Sequence, residues 1–217
     1  MKINALLIKA AAFYKLLLRK IRRKSISRIS LDILLRAELC KIHEGIVLDI
    51  GAQQSPYRNY MPVRKFYRFD IDINSKPDMV CDIHYIGWRS NFFDTVVATE
   101  VLEHCYSPDK AVNEIYRVLK KGGTCVLSTR FIYPYHGSPF DYYRFTWDSL
   151  YAIFNKFDHV AVYHHGNKLQ TLWQIVNGSD RSISLIETIS SFLNPIIALI
   201  HVKNTTMPLG FVVVAVK

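Results

Sequence analysis

From residue 30 onward the chain alternates short apolar runs with helical periodicities, and this alternation constrains the fold more than any other feature of the sequence. Residues 46–50, 65–70, 78–81, 94–99, 124–129, 159–163 and 211–216 read as strands. A helix is predicted over 30–42, with Leu31, Leu34, Leu35 and Leu39 on one side. A second is predicted over 107–119. Val112, Ile115, Val118 and Leu119 form its stripe, and Lys120-Lys121-Gly122-Gly123 closes it with basic residues and glycine. A third runs over 146–155, with Thr146 as its N-cap. Strands separated by helices imply an α/β fold, a doubly wound and mostly parallel sheet covered on both faces. Such sheets bind ligands beyond the carboxyl ends of their strands, at the switch point, and the first strand is expected to be a switch-point strand.

The chain has 217 residues, half of them hydrophobic, which suits one α/β domain with extensions. Residues 167–206 read as an insertion between the last two strands. Its apolar stretch, 183–202, carries Glu187, Asn194 and Pro195, so a core or acceptor-site helix pair is expected rather than a membrane-spanning helix, with membrane contact as the alternative. Cys40, Cys81, Cys105 and Cys125 show no C-x-x-C spacing and are expected as buried, reduced thiols, in keeping with a cytoplasmic protein.

The formal net charge is +10, but nine basic residues precede Asp32 with no acid among them, which leaves 19 basic against 18 acidic residues for the rest. The basic character belongs to a tail, so a nucleic-acid-binding domain is not expected. Residues 1–29 form that extension. Within it, 3–21 read as an amphipathic helix, with Ile3, Leu7, Ala10, Tyr14, Leu17 and Ile21 recurring at steps of three and four. Lys9 and Lys15 interrupt the apolar run, which argues against a spanning helix, and no small-residue cleavage site follows. A transit peptide would share the same character. Two readings stand: a lid packed on the domain, or an interfacial helix on an anionic membrane surface through residues 1–30, at the inner face of the membrane.

Three acidic turns punctuate the strand ends. Asp49-Ile50-Gly51-Ala52 follows the first strand, where glycine permits a tight turn and close backbone approach to a ligand. Gln53 and Ser55 stand where a nucleotide loop would often carry further glycines. The G-x-G-x-x-G pattern is therefore absent, which disfavours pyrophosphate binding of the nicotinamide type. Asp70-Ile71-Asp72 comes about 20 residues on, placed to accept hydrogen bonds from the hydroxyls of a ribose. Asp82-Ile83 follows the third strand, placed against an adenine edge. No metal-ligand set is expected: His84, His164 and His165 lie on elements that do not converge.

These elements, together with Phe93-Asp94-Thr95-Val96-Val97, Thr99-Glu100-Val101-Leu102-Glu103-His104, the run 114–123 and the run 136–146 (H-G-S-P-F-D-Y-Y-R-F-T), resemble the class I S-adenosylmethionine-dependent methyltransferases. The likeness is nearest to a subgroup of small bacterial enzymes and covers residues 45–150. It implies a seven-stranded Rossmann-like sheet with an antiparallel last strand, residues 30–217 forming the methyltransferase domain, and S-adenosylmethionine as cofactor. Position by position, the resemblance implies that the backbone at Gly51 and Ala52 passes the methionine part, with Asp49 supporting the loop. Asp70 and Ile71 would hold the ribose, and Asp82 and Ile83 would border adenine. Glu100 would sit at the floor where the methyl group faces the acceptor.

Methyl transfer from a sulfonium needs no protonated leaving group, so positioning can supply much of the catalysis. For an acceptor that must lose a proton, His136 is the first candidate for the base, with Asp141 orienting it or pairing with Arg144. The alternative is an internal lock in which Asp141 and Arg144 cap a loop; His104 reads as structural. A small-molecule, sugar or lipid-linked glycan acceptor is expected. The competing functions are a non-catalytic binding module that keeps the fold, and a nicotinamide-dependent oxidoreductase.

Overall fold

The computed structural model describes residues 24–137, 140–178, 193–194, 196–200 and 206–217. The helix expected over 3–21 and most of the apolar stretch 183–202 lie outside the described residues. The first described element, α1 (Ile26–Leu39), starts four residues before its predicted position. Ser25 caps it by accepting a hydrogen bond from the Arg28 N–H, and Ile26 and Ser27 are already buried. α1 runs through residues 29 and 30 without interruption. Leu31, Leu35 and Leu39 form its buried stripe, packing on Val47 and Val97 of the sheet.

The strands are β1 (Gly45–Ile50), β2 (Val63–Asp70), β3 (Met79–Val80), β4 (Phe93–Thr99), β5 (Leu119–Arg130), β6 (His159–His165) and β7 (Gly210–Val216). They form a single seven-stranded sheet in the order β3-β2-β1-β4-β5-β7-β6. β3, β2, β1, β4 and β5 are parallel to one another. β7 inserts antiparallel between β5 and β6. This is the expected α/β architecture with an antiparallel last strand. β1 and β4 are buried on both faces along most of their length, as strands of a sheet covered by helices must be.

Further helices are α2 (Pro108–Val118), α3 (Trp147–Ile153) and α4 (Lys168–Gly178). In α2, Pro108 stands at the first turn, and Ala111, Val112, Ile115 and Val118 make the buried stripe. The chain enters β5 directly at Leu119, so Leu119 belongs to the strand rather than to the helix. The pairing register shifts between Phe93↔Leu119 and Thr95↔Thr124, so Lys120–Gly123 form a bulge, with Gly122 at a φ of 75°, instead of a helix-closing turn. Thr146 and Ser149 form the reciprocal cap of α3.

Helix α4 inverts the usual amphipathic order. Gln170, Thr171 and Gln174 are buried, while Leu172 and Val176 are exposed. The inward amides are satisfied: Gln170 Nε2 donates to the carbonyls of Ile197 and Ala198 at 3.2 Å each, and Gln174 Oε1 accepts from Ser27 N. Among the described residues no helix is long and apolar enough to cross a membrane. Cys81, Cys105 and Cys125 are buried free thiols, as expected; Cys40, at the end of α1, is exposed instead.

Candidate active site

The strand order reverses at β1, whose neighbours are β2 and β4, and the carboxyl ends of these strands open onto a cavity of about 280 Å³. Gly51 follows β1 at a φ of 65°, a left-handed turn that excludes most side chains. A β-carbon there would collide with the Val101 side chain, itself a wall of the cavity. Gln53 and Ser55 take φ values of 41° and 47°. The loop thus keeps glycine-like geometry with side chains in place of glycines, and it holds this strained conformation at the mouth of the site.

The Asp70 carboxylate explains how. Its Oδ2 accepts from Gln53 N and its Oδ1 from Asp72 N, both at 2.9 Å, so a buried acid at the end of β2 ties the β1 loop to the β2 turn. A carboxylate has about four acceptor positions, so two remain for a ligand. Ile71 lies exposed on the cavity rim. Asp82 Oδ1 accepts from His84 N at 2.9 Å and lies 2.6 Å from His84 Nδ1. The His84 ring stacks on Tyr106, 4.0 Å between centroids, beside Ile83.

Asp49 is buried beneath the loop, and burial pushes its carboxyl up to about 7, with Asp70 acting in the same direction. The folded state therefore holds a proton that the unfolded chain releases near 4. The stability this group contributes is full below pH 4 and is lost as the pH rises towards 7. Asp49→Asn should remove the loss. Its melting temperature relative to wild type should rise between pH 5 and pH 8 by about 2–4 °C for each kcal/mol recovered. A difference that stays constant with pH would refute a protonated Asp49.

Glu100 does not line the cavity. At a φ of 59°, its backbone turns the carboxylate onto Arg130, in direct contact. Arg130 Nε also lies 3.8 Å from Glu103 Oε1, and Arg130 Nη1 donates to Ser27 of α1. Glu103 is fully buried; burial and the neighbouring Glu100 push its carboxyl up. Glu103 Oε2 accepts from Thr129 Oγ1 at 3.0 Å.

The residues expected to act on the acceptor do converge. Arg144 grips Asp141 with two nitrogens, at 2.5 and 2.6 Å, and also donates to the carbonyls of Tyr133, Pro134 and Tyr143. That bidentate contact holds the Asp141 carboxyl well below the usual carboxylate range. Asp141 Oδ2 accepts from His136 N at 3.0 Å and stands 3.2 Å from His136 Nδ1. Asp141 and Arg144 are thus a loop lock that also places a histidine. The His136 ring packs 4.9 Å from His104, and it is His104 that reaches the cavity wall. Burial lowers the His136 pKa, so its ring is neutral near pH 7. His104, Cys105, Tyr106 and Phe140 are cavity residues with no role expected there from the sequence. Their shared position after β4 and β5, at the carboxyl edge of the sheet, was the available signal.

Residues 48–127 match the family model described as a methyltransferase domain. The cofactor that goes with this domain is S-adenosylmethionine. The residues present fit it: a glycine turn that a β-carbon would obstruct, a buried Asp70 with free acceptor positions, and an apolar cavity between them. No curated protein sequence matches the chain. Among solved structures, the chain is similar to an S-adenosylmethionine-dependent methyltransferase from Thermotoga maritima, described as a possible histamine N-methyltransferase. The identity is 16%, with 91% of each chain covered and a TM-score of 0.59. It is also similar to a phosphoethanolamine N-methyltransferase of Haemonchus contortus in complex with S-adenosylmethionine. There the identity is 16%, with 84% of this chain and 52% of that chain covered and a TM-score of 0.52. A [4+2]-cyclase is a third, at 14% identity with 90% and 84% covered and a TM-score of 0.57. At these identities the likeness is one of fold.

Proposed function

We propose that the chain is an S-adenosylmethionine-dependent methyltransferase acting on a small-molecule, sugar or lipid-linked acceptor. The observation that carries this reading is the Gly51–Asp70 pair, a left-handed glycine turn held by a buried carboxylate that still has two acceptor positions free. When bound, the cofactor would supply an electrophilic methyl group. Gly51 and Ala52 would pass its methionine part along the backbone, with Asp49 beneath the loop. Asp70 and Ile71 would hold the ribose. Asp82 would offer the adenine its Oδ2, since Oδ1 is committed to His84, and Ile83 would pack on the ring. Glu100 serves the site from behind, by fixing Arg130.

The acceptor side is His104 and His136, with Asp141 and Arg144 as positioning residues. His136 acts as a neutral imidazole with a free lone pair. The motif resemblance favours the small bacterial subgroup and acceptors of cell-surface polysaccharide or lipid pathways. Titration calorimetry of the full chain with S-adenosylmethionine and with its demethylated product tests the reading. Binding of neither removes the enzyme and leaves a fold without its cofactor. Binding of a nicotinamide nucleotide instead favours the oxidoreductase.

A lipid-linked acceptor is supported by the outward apolar face of α4. Leu172 and Val176 are exposed there, and Ile196 and Leu199 are exposed on the segment whose carbonyls accept from Gln170. That segment meets the root of the basic extension: Asn194 Nδ2 donates to the Lys24 carbonyl, and Ile197 packs with Ile26. We infer that extension and face meet an anionic membrane surface together. Deleting residues 1–23 spares α1, and combining it with Leu172→Glu and Val176→Glu should abolish co-sedimentation with anionic vesicles. Equal sedimentation of wild type and variant would end the membrane reading.

A further inference from the structure

Behind the cavity wall, three side chains converge that the cofactor site does not use. One metal-capable atom from each of Glu103, His104 and His136 lies within 4.8 Å of the other two. Two come from the single turn Leu102–His104 after β4, the third from the loop after β5. We propose that Glu103, His104 and His136 form a binding site for a divalent transition-metal ion of the zinc type.

The donor set is two imidazoles and one carboxylate, a composition that suits zinc and its neighbours and not magnesium, which prefers oxygen ligands. A second, independent observation is the state of the buried polar atoms. Glu103 is fully buried, yet its Oε1 has no hydrogen-bond partner. An unsatisfied buried acceptor of this kind is costly, and a bound ion would remove part of that cost.

The surrounding groups are arranged as outer partners of metal ligands usually are. His104 Nδ1 is hydrogen-bonded to the Phe140 carbonyl. A carbonyl can only accept, so Nδ1 carries the proton and Nε2 keeps its lone pair. Asp141 stands 3.2 Å from His136 Nδ1, and Thr129 holds Glu103 Oε2. Ligands of a tetrahedral ion with bonds of about 2.1 Å lie roughly 3.4 Å apart. Loading the site therefore draws the ligand atoms together by up to about 1.4 Å. Arg130 is the cation facing Glu103, at 3.8 Å, but its close contact is to Glu100, so Glu103 keeps an oxygen for an ion. Because His104 also forms the cavity wall, an open coordination position would face the cavity. On the methyltransferase reading, that position would receive an oxygen of the acceptor, and His136 would then serve as a ligand in place of its role as base; the metal site itself does not depend on that reading.

The test uses the full chain, stripped with a chelator and titrated with Zn²⁺ by calorimetry and with Co²⁺ by visible absorption. Wild type should bind one ion, and Co²⁺ should develop d–d bands. Glu103→Gln keeps the volume and the Thr129 contact and should weaken binding at least 10-fold, as should His104→Ala and His136→Gln. Circular dichroism checks that each variant is folded, and half-buried His136 gives the variant least disruptive to the core. Asp141→Asn should weaken binding less than removal of a ligand. No binding by wild type overturns the proposal. So does equal binding by wild type and all three ligand variants, which would place the ion elsewhere. Binding of the demethylated cofactor is measured on the same metal-free chain. If the cofactor product binds and metal does not, only this proposal fails; if metal binds and the product does not, only the methyltransferase reading fails.

Discussion

Arg130→Met is expected to lower the stability of the fold by about 3–5 kcal/mol. Arg130 sits at the end of β5 with its side chain nine-tenths buried, and it is the cation that contacts Glu100, faces Glu103 and donates to Ser27 on α1. Removing it leaves two acids in a dry pocket. Glu103 has a carboxyl already pushed up and can take a proton, so most of the cost falls on Glu100. For a chain of this size the change corresponds to a melting temperature lower by roughly 10 °C. Arg130→Lys should be intermediate, because an ammonium restores the charge without the planar fork that reaches three partners. The double variant Glu100→Gln, Arg130→Met should lose less than the single one, since no unpaired charge is left at Glu100. Thermal melts of the four proteins decide the matter. An Arg130→Met variant within 1 kcal/mol of wild type would show that the cluster is not what joins α1 to the site.

The parts of the fold legible in the sequence were those set by local periodicity. The β4 run and the α2 stripe were readable because burial on two faces or on one leaves a direct mark on residue type. The start of α1 was misplaced because the basic residues around it mask a cap: Ser25 is followed by Ile26 and Ser27, whose burial depends on Gln174 and Arg130, 147 and 103 residues away. The Lys120–Gly123 bulge was read as a helix stop for a similar reason. Lysines and glycines close helices, but here the same residues are needed to shift the β4–β5 register. At the site, strand-end acids could be ordered from sequence, which is why Asp70 and Asp82 fall on the cavity. The direction of a side chain could not. Glu100 faces away only because its backbone adopts a left-handed turn, a conformation glutamate seldom takes. The approach of His136 to His104 likewise depends on the Asp141–Arg144 lock, a contact between neighbours in a loop without periodicity.

Asp70→Ala should abolish cofactor binding at concentrations that saturate the wild type. Two effects add. The ribose loses its charged acceptor, and each hydrogen bond to a charged group is worth about 1.5–3 kcal/mol, so two bonds amount to at least about 100-fold in affinity. The loop also loses its clasp. Gln53 N and Asp72 N both donate to this carboxylate, and Gln53 and Ser55 are held in left-handed conformations that they would leave if released. Asp70→Asn keeps the shape and one carbonyl acceptor, but its amide presents a donor to one of the two backbone N–H groups, so its affinity should fall between the two. Adding Gln53→Gly to Asp70→Asn separates the effects. Glycine adopts the required φ without strain, so it should restore part of the loop's contribution and none of the ribose contribution. Calorimetry with S-adenosylmethionine and its demethylated product reads all four proteins. Wild-type affinity in Asp70→Ala would remove Asp70 from the site, and full recovery in Asp70→Asn, Gln53→Gly would reduce its role to holding the loop.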